Sequence, residues 1–255
     1  MMNSLYTAAT GMAAMQMNVD TIANNLANVN TNAFKAGRMS FQDLLYQQVG
    51  DRNAARHGAQ VGMGVSPAGT QIAFSQGDLH ESDNPLDVAI EGEGFLQITM
   101  PDGSIGYTRD GSLQIDANGQ LVTRSGYQLE PIIGIPIETD PASLKIGTDG
   151  LITGTVAGQT EVLGQLEIAR FANPSGLAAL GSNVFAATVN SGESSLSLPG
   201  SNSAGTIRQG MLEGSNVTVM TEMVDMINAQ RAFESVSKVI STSDEMLSIA
   251  NQMRR

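Results

Sequence analysis

An α+β fold is predicted for this 255-residue chain, with discontinuous terminal helices forming a coiled-coil layer and a central antiparallel β-rich domain. Three observations predict it. Near the N-terminus, Leu5, Ala8, Met12, Met15, Val19, Ile22, Leu26 and Val29 recur at alternating steps of three and four residues. Near the C-terminus, Met226, Ala229, Phe233, Val236, Ile240, Ser243, Leu247 and Ala250 keep the same steps, with Ser243 the only polar member. A period of about 3.5 residues lines one narrow helical face with apolar side chains, which a second helix must cover. Between the two seams, Asp102-Gly103, Asp110-Gly111, Asn118-Gly119 and Asp149-Gly150 punctuate segments of strand length. Gly, Asn and Asp tolerate positive φ, so such dipeptides make tight turns between antiparallel strands.

The first helix is expected from Asn3 or Ser4, either a sound N-cap, to about Asn28. Away from its seam runs a small, polar stripe: Thr7, Gly11, Ala14, Asn18, Thr21, Asn25 and Asn28. Small residues permit close helix approach and amides can bond across an interface; a solvated face is the plainer reading. Asn28-Val29-Asn30-Thr31-Asn32 ends the helix, because Asn and Thr compete for backbone hydrogen bonds. The expected division is 1–34 with 216–255 as a helical domain, 35–71 as a connecting segment and 72–215 as the β-rich domain. In the connector, Phe41, Leu44 and Leu45 predict a short helix, and 50–64 reads as polar and flexible. In the β-rich domain, 95–100, 112–115, 120–123 and 162–171 have strand character, and the Ser- and Gly-rich stretch 191–205 reads as an exposed return loop. Asn216-Val217-Thr218 reads as the cap of the final helix, whose first turns carry Glu222 and Asp225 where the helix dipole favours acids.

Charge follows the same division. The net charge is −12, yet residues 1–50 balance Asp20 and Asp43 against Lys35 and Arg38. Residues 51–216 hold 18 acids against 7 bases. An acidic centre repels phosphate backbones, which argues against nucleic acid as a partner. Nearly neutral ends suit surfaces that bury against protein. Asn18, Asp20, Asn24 and Asn25 break any hydrophobic run in the first segment, so neither a cleaved signal nor membrane insertion is expected there.

Catalytic chemistry leaves little trace. There is no Cys, and His57 and His80 are the only histidines. The acidic run Asp78, Glu81, Asp83, Asp87, Glu91, Glu93 lacks the alternating carboxylates and closing Glu of a calcium loop. Gly92-Glu93-Gly94 has no third glycine and no following helix, so it is no dinucleotide fingerprint; a tight turn or a close backbone approach accounts for it. No cofactor, metal site or enzymatic activity is expected. A carboxylate pair assembled by distant strands is the enzymatic alternative, and an adhesin or phage-tail-like protein is a structural one.

Three motifs carry a family resemblance. Ala23-Asn24-Asn25-Leu26-Ala27-Asn28-Val29-Asn30-Thr31-Asn32-Ala33-Phe34-Lys35 resembles the N-terminal signature of bacterial flagellar rod and hook proteins. Asp87-Val88-Ala89-Ile90-Glu91-Gly92-Glu93-Gly94-Phe95 resembles the entry to their β-domain, and Tyr107-Thr108-Arg109-Asp110-Gly111-Ser112 a rod pattern within it. Ser215-Asn216-Val217, followed by Met226-Ile227-Asn228-Ala229-Gln230-Arg231-Ala232-Phe233-Glu234, resembles their C-terminal signature. The resemblance implies a helical homopolymer, a tube crossing the periplasm within the flagellar basal body, whose subunits leave the cell without a cleaved signal. It implies as partners further copies, the proximal rod subunits and hook protein of the same axis, and the surrounding bushing rings. The expected assembly interface is Leu5, Met12, Met15, Val19, Ile22, Asn24, Asn25, Leu26, Asn28, Met226, Ala229, Phe233, Val236, Ile240 and Leu247. The segment 48–61 is expected to contact neighbouring subunits. The family usually has Gly where this chain has Ala33, so a positive φ there carries a cost.

Overall fold

Apolar periodicity at the two ends becomes α1 (Met2–Ala27) and α2 (Val219–Met253). The structure, a computed structural model, describes residues 2–49, 59–136, 139, 143–156, 159–201 and 203–253. The chain divides into two compact units. One takes the residues up to Ala27, Gly37–Gln71 and those from Thr218 on; the other takes Asn28–Ala36 and Ile72–Val217.

In the helical unit α1 and α2 pack against each other. They run antiparallel: Thr7, Ala8 and Gly11 lie by Val236 and Val239, whereas Asn25 bonds Glu222 near the start of α2. The small stripe of α1 is covered as well, with Ala14 and Asn25 both buried. It faces a strand region made of β1 (Gly37–Asp43), β2 (Tyr46–Val49), β3 (Ala59–Gly62) and β4 (Val65–Ile72). β1 pairs with β4, and β2 with β3 in antiparallel register, Tyr46 opposite Gly62. The short helix expected from Phe41, Leu44 and Leu45 is therefore replaced by strand β1. Three apolar residues in five fit either structure, and β4 supplies the hydrogen-bond partners that decide for the strand. Most of the stretch expected to be flexible, 50–58, lies outside the described residues.

The β unit contains, in chain order, β5 (Leu79–Glu81), β6 (Val88–Glu91), β7 (Phe95–Thr99), β8 (Ile105–Thr108) and β9 (Leu113–Ile115). Next come β10 (Leu121–Thr123), β11 (Gln128–Glu130), β12 (Lys145–Ile146), β13 (Leu151–Val156), β14 (Gln159–Gln165) and β15 (Ile168–Arg170). The last are β16 (Ala178–Gly181), β17 (Val184–Ala186), β18 (Ser195–Ser197), β19 (Thr206–Gln209) and β20 (Met211–Glu213). The main sheet runs β16-β17-β8-β7-β11-β10-β9, with β15 joined to both β7 and β18. β12-β13-β14 form a meander, and the late strands β19 and β20 return to pair with β6 and β5. The pairings of this unit are antiparallel.

Turn chemistry fixes these strands. Asp102, Asp110, Asp116 and Asp149 each accept, on one carboxylate oxygen, the backbone N–H two residues onward. At Asp110-Gly111 the glycine serves a close approach, since a Cβ there would run into the Val88 carbonyl. Gly94, at φ 139°, instead makes room for the Ile168 side chain, whose Cγ2 a Cβ there would strike. The core gathers Val88, Ile90, Leu96, Ile98, Leu113, Leu121, Leu129, Ile152, Leu166, Ile168 and Ile207. A second cluster stacks Phe74, Phe95, Tyr107, Phe171 and Phe185 edge to face at 4.7–6.2 Å. The stretch 191–205 is not a plain exposed loop: Ser191 and Ala204 are buried, and β18 extends the sheet through β15.

Two boundaries differ from the expected division. Residues 28–36 belong with the β unit and 37–71 with the helices. The reason is where their hydrogen bonds go: the Ala33 N–H donates to the Glu213 carbonyl, whereas β1 packs on α1. Ala33 itself is buried at φ 57°.

Candidate assembly surfaces and a buried ionic clasp

The two seams meet within one chain. On α1, Ile22 and Asn25 are buried, Leu5, Met12, Met15, Val19, Leu26 and Asn28 half-buried, and Asn24 exposed. On α2, Ala229 and Ser243 are buried, Met226, Val236 and Ile240 half-buried, and Phe233 sits exposed at the rim. The side chain of Leu247 lies outside the described residues. Asn25 ties the unit together. Its amide donates to the Gly37 carbonyl at 2.9 Å and to Glu222 Oε2 at 3.3 Å, and its Oδ1 accepts the Gly37 N–H at 2.9 Å. Beside it opens a cleft of about 480 Å³ between α1, α2 and β1, edged by Asn18, Arg38, Glu222 and Asp225.

The faces left outside are apolar. Met220, Met223, Val224 and Ile227 are exposed, Met220 at 76 %. At 100° per residue they fall on the side of α2 opposite its seam. The outward face of α1 is small, with Ala9, Ala13, Ala23 and Ala27 exposed beside Tyr6 and Met17. Leu45 and Tyr46 are exposed where β2 begins, Leu45 at 87 %. Solvated helices normally set charge on such faces; here a Met/Val/Ile stripe and an Ala-rich stripe remain uncovered.

Four residues make contacts that the sequence did not disclose: Lys35, Arg109, Glu213 and Asn216. The Glu213 side chain is wholly buried. Its Oε1 accepts from Lys35 Nζ at 2.5 Å and from the Gly77 N–H at 2.9 Å. Its Oε2 accepts from Arg109 Nε at 2.7 Å. Lys35 also donates to the Ser75 carbonyl at 2.7 Å. The Arg109 guanidinium spends its remaining donors on the carbonyls of Gly94, Gly92 and Ile90, with its carbon 5.9 Å from the Phe95 ring centre. Burial of the ammonium pulls the Lys35 pKa below its ordinary value; Glu213 opposes that shift and Arg109 adds to it. Of the expected cap triplet, Thr218 stands immediately before α2 and its carbonyl accepts the Glu222 N–H, whereas Asn216 holds backbone. Its Oδ1 accepts the Ala36 N–H at 2.8 Å, and its amide donates to the Ala73 carbonyl at 2.7 Å and to Ser75 Oγ at 3.0 Å. Nothing in the spacing of Lys35, Arg109 and Glu213 announces a mutual contact.

Among the described residues no group of three or more His, Cys, Asp or Glu side chains is placed to hold a metal, and no helix is long and apolar enough to cross a membrane.

Sequence comparison identifies the family to which this arrangement of terminal helices and β unit belongs. Residues 5–35 match the family model described as flagella basal body rod protein, 89–154 the flagellar hook protein FlgE/F/G D1 domain, and 208–253 the flagellar basal body rod FlgEFG protein C-terminal. The chain belongs to the flagellar basal-body rod protein family. Among its relatives, the flagellar basal-body rod protein FlgG of Borreliella burgdorferi is 50% identical, with all of both chains covered. FlgG of Buchnera aphidicola subsp. Schizaphis graminum is 47% identical over 99% of this chain and 100% of its own. FlgG of Bacillus subtilis is 39% identical over the whole of both chains. Each matched segment contributes one member of the clasp: Lys35, Arg109 and Glu213.

Proposed function

We propose that this chain is a structural subunit of the distal rod of the flagellar basal body, polymerising into a helical tube that carries torque from motor to hook. The single observation that carries the reading is full-length likeness to FlgG rod proteins, which attaches to a helical unit with uncovered apolar faces. The seam residues Leu5, Met12, Met15, Val19, Ile22, Leu26, Met226, Ala229, Phe233, Val236 and Ile240 build the helix pair; Asn24, Asn25 and Asn28 stand at its end. Many such pairs then form the coiled-coil layer. The Met/Val/Ile stripe of α2 supplies knobs, and the Ala-rich face of α1 on another copy receives them. Such a contact joins different surfaces of identical subunits, so repetition gives an open helical filament unless the rotation closes a ring.

Proximal rod subunits and hook protein would meet the ends of this polymer, with the bushing rings around it and no role for nucleic acid or membrane insertion. The hairpin β2–β3 would contact neighbouring subunits and stiffen the tube, through Leu45, Tyr46 and Val61. Deleting residues 50–60 should then leave monomer folding intact and yield bent rods.

The test is complementation. In a strain lacking the gene, the wild-type chain should restore swimming, and antibodies should label the distal rod of isolated basal bodies. Ile227→Asp should restore neither, since a charge in a packed helix contact is costly unless paired. Labelling at the proximal rod would move the chain to that segment; absence from basal bodies would end the reading.

A further inference from the structure

The chain passes between its two units at four points, and three of them end in segments that touch one another: residues 33–36, 73–77 and 213–217. Asn216 lies in the last of these and bonds backbone of both others, Ala36 and Ala73. Three residues earlier Glu213 repeats the pattern. Its carbonyl accepts the Ala33 N–H, and its carboxylate takes Lys35 from the first segment and the Gly77 N–H from the second. Backbone bonds close the remaining gaps, Ala73 N–H to the Ala36 carbonyl at 2.9 Å and Asn216 N–H to the Phe34 carbonyl at 3.4 Å.

No segment can withdraw alone. Pulling out 33–36 would take the Ala36 N–H from Asn216 Oδ1 and the Lys35 ammonium from the buried Glu213 carboxylate. Pulling out 213–217 would leave Lys35 and Arg109 as two cations without their shared anion. Unmatched polar groups and charges in a low-dielectric interior are costly, so the network opens as a whole or stays shut. Asn and Glu are also short enough to hold their partners with little freedom.

We propose that Asn216 and Glu213 form a staple that makes the three segments one cooperative element and so fixes the directions in which the chain leaves the β unit. Asn216 and Glu213 are positioning residues. If the rod reading holds, load on the helical unit reaches the β unit through three segments bound as one.

Hydrogen exchange on the full-length soluble chain tests the coupling, and Asn216→Ala is the variant because it leaves no buried charge unpaired. Exchange at Ala33, Ala36, Ala73 and Gly77 should accelerate together by about tenfold or more, with Leu96, Ile98, Leu129 and Ile168 unchanged. Acceleration confined to Ala36, the direct donor, would overturn the staple. If Asn216→Ala opens the whole β unit, Lys35→Met gives the same reading, because Arg109 still pairs Glu213. Coupling then requires faster exchange at Ala73 and Asn216, and unchanged rates there overturn it. In isolated basal bodies, rods of Asn216→Ala chains should be bent where wild-type rods are straight. Straight rods would remove the mechanical consequence. Absence of the wild-type chain from basal bodies would sink the rod reading and leave the exchange result standing.

Discussion

The two units of this chain treat apolar surface in opposite ways. In the β unit Ile98, Leu113, Leu166 and Ile168 are completely enclosed, the aromatic cluster is packed edge to face, and even Lys35 and Arg109 find a shared anion, Glu213, inside. In the helical unit the longest helix, at 35 residues, leaves Met220, Met223, Val224, Ile227, Met246 and Ile249 exposed. A stripe of that kind on a monomer marks a surface made for another protein. One unit is finished by its own chain, and the other leaves apolar surface uncovered.

The sharpest way to strain that contrast is to break the finished unit at its most concentrated point. Glu213→Ala leaves two buried cations without an anion and should cost about 3–5 kcal/mol, read as a drop in denaturant midpoint. A loss comparable to a surface substitution would mean that the clasp is solvated in solution. Next comes the same chemistry in two places. Ile98→Ala should cost about 2–5 kcal/mol of β-unit stability. Ile227→Ser on the open helical face should change monomer melting by no more than about 0.5 kcal/mol while impairing assembly. Equal costs would erase the difference between the units.

A smaller effect sits at the junction. Ala33→Gly should stabilise the β unit by about 1 kcal/mol, because the left-handed conformation held at φ 57° penalises a Cβ. Smaller still is a pH effect. Burial lowers the Lys35 pKa in the folded chain, so between that value and the ordinary lysine value the unfolded chain binds more proton and stability rises with pH. Denaturant melts on the alkaline side should show this gain in the wild-type chain and lose it in Lys35→Met.

What the sequence disclosed follows the range of the forces involved. Helices α1 and α2, with the seam from Leu5 to Leu26 and that from Met226 to Ile240, were legible because a 3.5-residue period is written in consecutive residues. The turns at Asp102-Gly103, Asn118-Gly119 and Asp149-Gly150 were legible because adjacent residue types announce positive φ, which all three glycines adopt. The cost at Ala33 was legible from a family pattern. Strand β1 was misread as a helix because its partner β4 lies some thirty residues on, and no local pattern names it. The clasp was invisible for the same reason: Lys35 and Glu213 are 178 positions apart. The cap triplet was legible down to Thr218, which precedes α2, but the partners of Asn216 come from two distant segments that no local pattern names.

The central claim, that one unit is complete alone and the other by association, is tested most directly by hydrogen exchange on a dilute full-length monomer beside the assembled form. The account predicts fast exchange across residues 3–27 and 219–252 and slow exchange from 90 to 170 in the monomer, since long helices with uncovered faces are marginal in water. On assembly the helical amides should slow to the level of the β unit. Equal protection of both units in the dilute monomer, unchanged on assembly, would contradict it.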